Sequence, residues 1–276
     1  MQQTIADAGS AGDGLELVEY QPDERCGPPL LFVHGAFTAA WCWEVAYLPY
    51  FAEAGFPAFA VSLSGHGASG GHERLNALTL EDYADDVAEA VDAMDEPPII
   101  IGHSMGGLVA DIALRRGVEA AGLVLLAAVP PTGLTPSALQ MMVSQPRLAW
   151  HLGMAQVTGP RALEPEEAQA ALFAGAEPAE PAREASRRMQ PESQVALFQM
   201  GLPRWPRLGG FRAPVAVIGA AEDVVIPPWM VRATGWLHGV TPRWIPETGH
   251  AVMLEPRWQP GAEVLEDALR AVAGPA

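Results

Sequence analysis

A serine set among glycines is the arrangement in this chain with the clearest chemical meaning. In PPIIIGHSMGGL, Pro97 to Leu108, Ser104 stands in the pattern G-x-S-x-G, with Gly102 before it and Gly106 and Gly107 after it. A serine hydroxyl is a poor nucleophile until a base takes its proton, and the base works best when a third group fixes its tautomer and steadies its positive charge. An acid and a histidine are therefore needed at strand ends. Asp223 in GAAEDVVIP and His250 in PETGHAVMLEP both fall in loops just past apolar runs, in the chain order Ser, Asp, His that accompanies a nucleophile elbow. A second G-x-S-x-G, Gly67 to Gly71 around Ser69, is followed by the polar segment His72 to Asn76 with no helical period, so Ser69 is read as a loop serine.

The hydroxyl is useful only if the chain turns sharply beneath it. Ile99 to Ile101, apolar without alternation, predicts a strand buried on both faces of a parallel sheet. A helix is predicted directly after the turn, with Leu108, Val109 and Ile112 on one side, Arg115 and Arg116 in its last turn and Gly117 at its stop. Other strands are predicted at Leu15 to Tyr20, Leu30 to Val33, Ala58 to Leu63, Gly122 to Ala127, Val215 to Ile218 and Arg243 to Ile245. Between them a helix from Trp41 is expected to kink at Pro49 and stop at Gly55, and another opens with Thr79 as N-cap and Asp82 three residues on. Further helices are expected near Trp229 to Leu237 and at the end of the chain, from Trp258 to Val272. This alternation predicts an α/β fold, a mostly parallel central sheet flanked by helices. The acids Glu81, Asp82, Asp85, Asp86, Glu89 and Asp92 lie opposite the apolar residues of their helix and are read as a solvated face. The start, MQQTIADAGSAGDG, is read as frayed.

From Pro130 to about Leu208 the strand pattern lapses. Thr135 with Pro136 and Glu164 with Pro165 look like helix starts, Gly175 and Gly201 like stops, and EPAEPARE, Glu177 to Glu184, is too polar for a core. The predicted organisation is an α/β core in two parts, residues 1–128 and 209–276, with a helical lid or cap insertion at 129–208 between them. Its large apolar residues Met141, Met142, Trp150, Met154, Phe173, Met189, Phe198 and Met200 are expected to hold the insertion to the core, with some lining an apolar pocket.

Composition narrows the partners. The 276 residues are 49% hydrophobic and 18% charged, with a formal net charge of −17 and no lysine, a field that repels phosphate backbones and anionic lipid headgroups. Nucleic acid is not expected as a partner, and a neutral or cationic substrate is easier to admit than a polyanion. Cys26 and Cys42 show no disulfide or zinc spacing and are expected to be free thiols. The basic start of a signal peptide and the apolar length of a membrane span are both missing, so the expectation is a cytoplasmic protein. No phosphate loop, dinucleotide fingerprint or zinc-ligand cluster is visible, and the expected mechanism uses neither cofactor nor metal.

With FVHGAF, GHSMGG, GAAEDVVIP and TGHAVMLEP in that order, the chain resembles the α/β-hydrolase superfamily over nearly its whole length. HGAFTAAWCW combined with GHSMGG is similar to its esterase and hydroxynitrile-lyase branch. Ser62 and Ser64 in SLSGHG stand where relatives often have Asp and Pro. The resemblance implies Ser104 as nucleophile, His250 as general base and then acid, and Asp223 as its orienting partner, with Glu222 as the rival acid. It also implies an oxyanion hole from the backbone N–H groups of Ala36 and Met105, with Phe37 as the alternative donor. His34, His66 and His103 are expected to hold loop geometry by hydrogen bonding. The expected function is a serine esterase cleaving a carboxylic ester with an apolar, uncharged acyl or alcohol group through an acyl-Ser104 intermediate. The same triad also serves thioester, amide or carbon–carbon cleavage and cyanohydrin lysis, and the fold can act as a ligand-binding module. Oligomeric state is not legible.

Overall fold

The computed structural model describes residues 3–7, 14–159, 165–175, 180–202 and 213–273. Glu164 as a helix start, residues 177–179 of the polar stretch and the far end of the expected insertion, 203–208, lie outside them. One sheet of eight strands runs through the described residues. Its strands are β1 (Gln3–Asp7), β2 (Glu16–Tyr20), β3 (Leu30–Val33), β4 (Ala58–Ser62), β5 (Ile99–His103), β6 (Gly122–Leu126), β7 (Val215–Ala220) and β8 (Arg243–Ile245). Their spatial order is β1-β2-β4-β3-β5-β6-β7-β8; β3 to β8 pair in parallel, whereas β2 joins β4, and β1 joins β2, antiparallel.

The order reverses at β3. The chain goes outward from β3 to β4, then crosses back to place β5 on the other side of β3. Such a switch point opens a crevice at the carboxyl ends of the two strands, where ligands bind in open α/β sheets. The register sets Val33 opposite Gly102, so the loops leaving β3 and β5 run side by side.

Both faces of the sheet are covered, which is why the central strands read as unbroken apolar runs. Phe32, Ile99 and Ile101 pack with Trp43, Tyr47 and Phe51 of helices α1 (Trp41–Glu44) and α2 (Tyr47–Glu53), and with Leu265 and Leu269 of the closing helix, Gln259–Ala273. Leu31, Val33 and Ile100 face the other way, onto α3 (Leu80–Asp92) and α4 (Met105–Arg115). The start of α3 is a capping box: Thr79 Oγ1 accepts from Asp82 N at 3.1 Å, and Asp82 Oδ2 accepts from Thr79 N at 2.8 Å.

The structure corrects three expectations. The supposedly frayed start contains β1, with Gln3 opposite Tyr20 and Asp7 opposite Glu16; an edge strand is held through its backbone and needs no apolar run to announce it. The helix expected to kink at Pro49 is two helices, broken at Val45 and Ala46. Proline lacks the N–H for the carbonyl four residues back and crowds it, so the disruption falls a turn earlier. Asp86 is buried, not solvated: its Oδ2 accepts from Ser64 N at 2.7 Å and its Oδ1 from Ser64 Oγ at 2.8 Å. Burial outweighs these bonds and pushes its pKa up to about 6.

Between β6 and β7 the described residues form helices α5 (Thr135–Ser144), α6 (Pro146–Thr158), α7 (Pro165–Leu172), α8 (Glu180–Arg188) and α9 (Gln194–Gly201). The polar stretch EPAEPARE thus contributes to a helix, with Ala185 of α8 buried against the core and charged residues exposed beside it. No helix among the described residues is long and apolar enough to cross a membrane.

Candidate active site

The turn after β5 is tight enough to force its own composition. A Cβ on Gly102 would come within 2.5 Å of Gly106 O, and one on Gly106 within 2.4 Å of Val33 O, so both positions exclude any larger residue. Between them Ser104 is held at φ 51° and ψ −119°, a sparsely populated positive-φ conformation that costs a non-glycine residue about 1–3 kcal/mol. Its neighbours enforce it: Ser104 N donates to Leu126 O at 3.2 Å, and Ser104 O accepts from Val129 N at 3.0 Å. The side chain is thereby lifted off the strand at the N-terminus of α4.

Two later strand ends supply its partners. Ser104 Oγ donates to His250 Nε2 at 2.9 Å, and His250 Nδ1 donates to Asp223 Oδ2 at 2.7 Å. Asp223 follows β7, and its other oxygen accepts the backbone N–H groups of Val225 and Ile226 at 2.8 Å each, which fixes the carboxylate plane. His250 follows β8. Its carbonyl accepts from His103 Nε2 at 2.9 Å, and Gly249 N beside it donates to Glu255 Oε1 at 2.7 Å. All three side chains of the line are buried, whereas Glu222 is exposed and away from it.

The loop after β3 closes the other side. A Cβ on Gly35 would lie 3.0 Å from Ser104 Cβ, so only glycine lets Gly35-Ala36 pass this close to the serine. Ala36 N–H donates to no group among the described residues, and Met105 N–H, at the first position of α4, has no partner within the helix. Phe37 differs. It sits at φ 66°, its N–H donates to Glu192 Oε2 at 3.3 Å, and its carbonyl accepts from Gln190 N at 2.9 Å. Phe37 as alternative donor is thus committed elsewhere.

Three other histidines are tied into loops. His34 donates from Nδ1 to Gly35 O and accepts Leu63 N at Nε2; burial first, then the neighbouring His66, lowers its pKa to about 3. Burial and the adjacent His250 lower His103 to about 3 as well. Both rings are neutral at ordinary pH. His66 faces acceptors at both nitrogens, Ser64 O and Glu192 Oε2, each at 3.0 Å. Burial favours the neutral ring, but the Glu192 carboxylate outweighs it and raises the His66 pKa, while His66 in turn holds Glu192 below its ordinary value against its own burial.

A cavity of about 150 Å³ opens over Ser104. Its walls come from the 35–38 loop, from the ends of the later strands and from helices α6 to α9, with Leu152, Met189, Leu197 and Met200 among them. Among the described residues, the only ionisable side chains on its lining are His103 and His250. Of the large apolar residues flagged between β6 and β7, Met189 and Met200 line the cavity, and Met141 and Phe173 are buried elsewhere. Met142, Trp150, Met154 and Phe198 are exposed, which corrects the expectation that such residues all pack or line a pocket. Cys26 and Cys42 are both free. No cluster of three or more His, Cys, Asp or Glu side chains suited to a metal occurs among the described residues.

Sequence reasoning missed three buried acids around the site, Asp86, Glu192 and Glu255. Asp86 carried a signal, since it lies one turn beyond Tyr83 at the margin of an apolar stripe. Glu192 carried none, because its partners are distant in sequence.

The chain is similar to known proteins in sequence and in fold. A pyrethroid hydrolase of Sphingobium wenxiniae is 30% identical over 207 residues, 72% of each chain. Methylesterase 1 of Arabidopsis thaliana is 28% identical over 134 residues, 46% of this chain and 51% of its own. Among solved structures, a thermophilic esterase from Thermogutta terrifontis with malate bound superposes with a TM-score of 0.71 at 21% identity, over 99% of this chain and 100% of that one, a likeness of fold. Residues 30–266 match the alpha/beta hydrolase family. With the strand order, the elbow after β5 and a sequence match spanning most of its length, the chain belongs to the alpha/beta hydrolase family.

Proposed function

We propose that this protein is a carboxylic ester hydrolase that works through an acyl-Ser104 intermediate. The observation that carries the proposal is the hydrogen-bonded line from Ser104 through His250 to Asp223, aimed into a cavity beside the Ala36 and Met105 N–H groups, neither of which has a backbone partner among the described residues. Ser104 Oγ attacks the ester carbonyl as its proton passes to His250 Nε2, and Asp223 steadies the imidazolium that results. The oxyanion is met by the N–H groups of Ala36 and Met105, each worth about 2.7–4 kcal/mol in acyl transfer. The protonated His250 then gives its proton to the departing alkoxide. Water, deprotonated by the same nitrogen, cleaves acyl-Ser104 to the free acid.

The lining favours an apolar, uncharged ester, because among the described residues no Arg, Asp or Glu side chain lines the cavity to hold a charge, and the chain has no lysine. The printed names of the relatives, a pyrethroid hydrolase and a methylesterase, fit the same reaction class. Residues 129–208 act as the lid or cap of a core made by 1–128 and 209–276, and substrate choice lies with the side chains that α6 to α9 lend to the cavity. Cyanohydrin lysis is disfavoured because the chain has no lysine to stand as a cation beside the serine. Replacing Ser104 by Ala and assaying esters of graded acyl length tests the proposal: turnover is expected to disappear, and retained turnover overturns it.

A further inference from the structure

Phe37 is a non-glycine residue held in the left-handed region inside the oxyanion loop, and both of its backbone groups are gripped by the segment between α8 and α9. Glu192 supplies the grip on the N–H side. It is fully buried, and each of its oxygens is used twice: Oε1 accepts from Tyr83 Oη at 2.6 Å and Ser193 N at 2.7 Å, and Oε2 from His66 Nε2 at 3.0 Å and Phe37 N at 3.3 Å. Gln190 completes the clamp, with its N–H on Phe37 O and its side chain bridging Gly67 N and Gly65 O, each at 3.0 Å.

On the ester-hydrolase reading above, we infer that Glu192 is a positioning residue, which holds Phe37 in its strained conformation and so aims the Ala36 N–H at the oxyanion. A peptide unit is planar, so fixing the N–H and C=O of Phe37 fixes the two peptide planes around it, and the Ala36 N–H is separated from the first only by the φ and ψ of Ala36. Without a partner for its N–H, Phe37 gains by relaxing to negative φ, and Ala36 turns with it. His66 has the second part. A bare carboxylate under an oxyanion hole would oppose the charge that develops there, and the imidazolium at 3.0 Å cancels it. His34, Asp86 and Tyr83 are the other ionisable groups facing this pair.

The test compares Glu192→Gln with Tyr83→Phe, which removes a bond to the opposite oxygen and leaves the Phe37 contact in place. Glu192→Gln is expected to lower kcat by about 30-fold with KM within about 3-fold, short of the 10²–10³ lost with a whole oxyanion donor. Tyr83→Phe is expected to lower the melting temperature and keep kcat within about 2-fold. Glycine occupies positive φ unaided, so in a Phe37→Gly background the same Glu192 change should cost less than about 3-fold. If Glu192→Gln does not fold, Glu192→Asp keeps the charge for His66, draws the carboxylate back from Phe37 and is read through the same cycle. Equal losses in both backgrounds, or a Glu192→Gln enzyme that loses only melting temperature, overturn the inference. Wild type and Ser104→Ala assayed alongside separate this from failure of the ester-hydrolase reading, in which wild type itself would not turn over through Ser104.

Discussion

Asp223→Asn changes one atom and should stop the chemistry by trapping a proton. Asp223 Oδ1 holds the backbone N–H groups of Val225 and Ile226 at 2.8 Å each, while Oδ2 receives His250 Nδ1–H at 2.7 Å. An asparagine has one oxygen for these two jobs. Turning its NH₂ toward the backbone leaves two buried donors unmet, at about 1–3 kcal/mol each. The amide oxygen therefore stays with Val225 and Ile226, and the NH₂ donates to His250 Nδ1. The ring proton is forced onto Nε2, where it points at Ser104 Oγ and blocks proton uptake. A wrong tautomer of this kind costs about 10⁴ in kcat, roughly 5 kcal/mol of barrier. Steady-state turnover of a short-chain nitrophenyl ester, with a thermal melt as control, should show that loss with KM and melting temperature near wild type. A variant keeping more than about a tenth of wild-type kcat would refute the reasoning.

Three further outcomes follow from the packing and the buried histidines. His34 and His103 are held near pKa 3 in the fold, against about 6.5 when unfolded, so between those values only the unfolded chain binds the proton. Stability should fall as pH drops below 6.5, by about 1.4 kcal/mol per unit for each ring; urea unfolding at stepped pH should show a slope shallower by that amount in His103→Asn, and an unchanged slope contradicts it. Thr79→Ala removes the hydroxyl acceptor of the α3 capping box and should lower unfolding free energy by about 1 kcal/mol with esterase activity unchanged. Gly106→Ala puts a Cβ 2.4 Å from Val33 O and 2.5 Å from His34 O, both backbone, so the α4 start must pull away from β3; soluble yield or activity should drop at least about 100-fold.

The parts of the fold that repeat a period, or that need glycine, were readable in the sequence. β5 and its elbow are legible because burial on both faces demands Ile99 to Ile101, and a Cβ at Gly102 or Gly106 would strike backbone. Asp223 and His250 were legible as polar residues placed straight after apolar runs. What was hidden is what depends on distant partners. β1 joins the sheet by backbone pairing with β2, Asp86 looks like its solvated neighbours until Ser64 is folded against it, and Glu192 reaches Phe37 across 155 positions of chain. The helices between β6 and β7 were readable singly, but which of their side chains face the cavity depends on packing that no local pattern encodes.

Acyl transfer through Ser104 requires a covalent bond between the substrate's acyl group and the serine Oγ. Acid-quenching the enzyme within its first turnovers of a slowly deacylated ester, followed by peptide mapping by mass, measures it directly. The prediction is one acyl increment on the peptide carrying Ser104, absent in Ser104→Ala. Ester turnover with no acyl group on that peptide, or with the increment on Ser69, would contradict it.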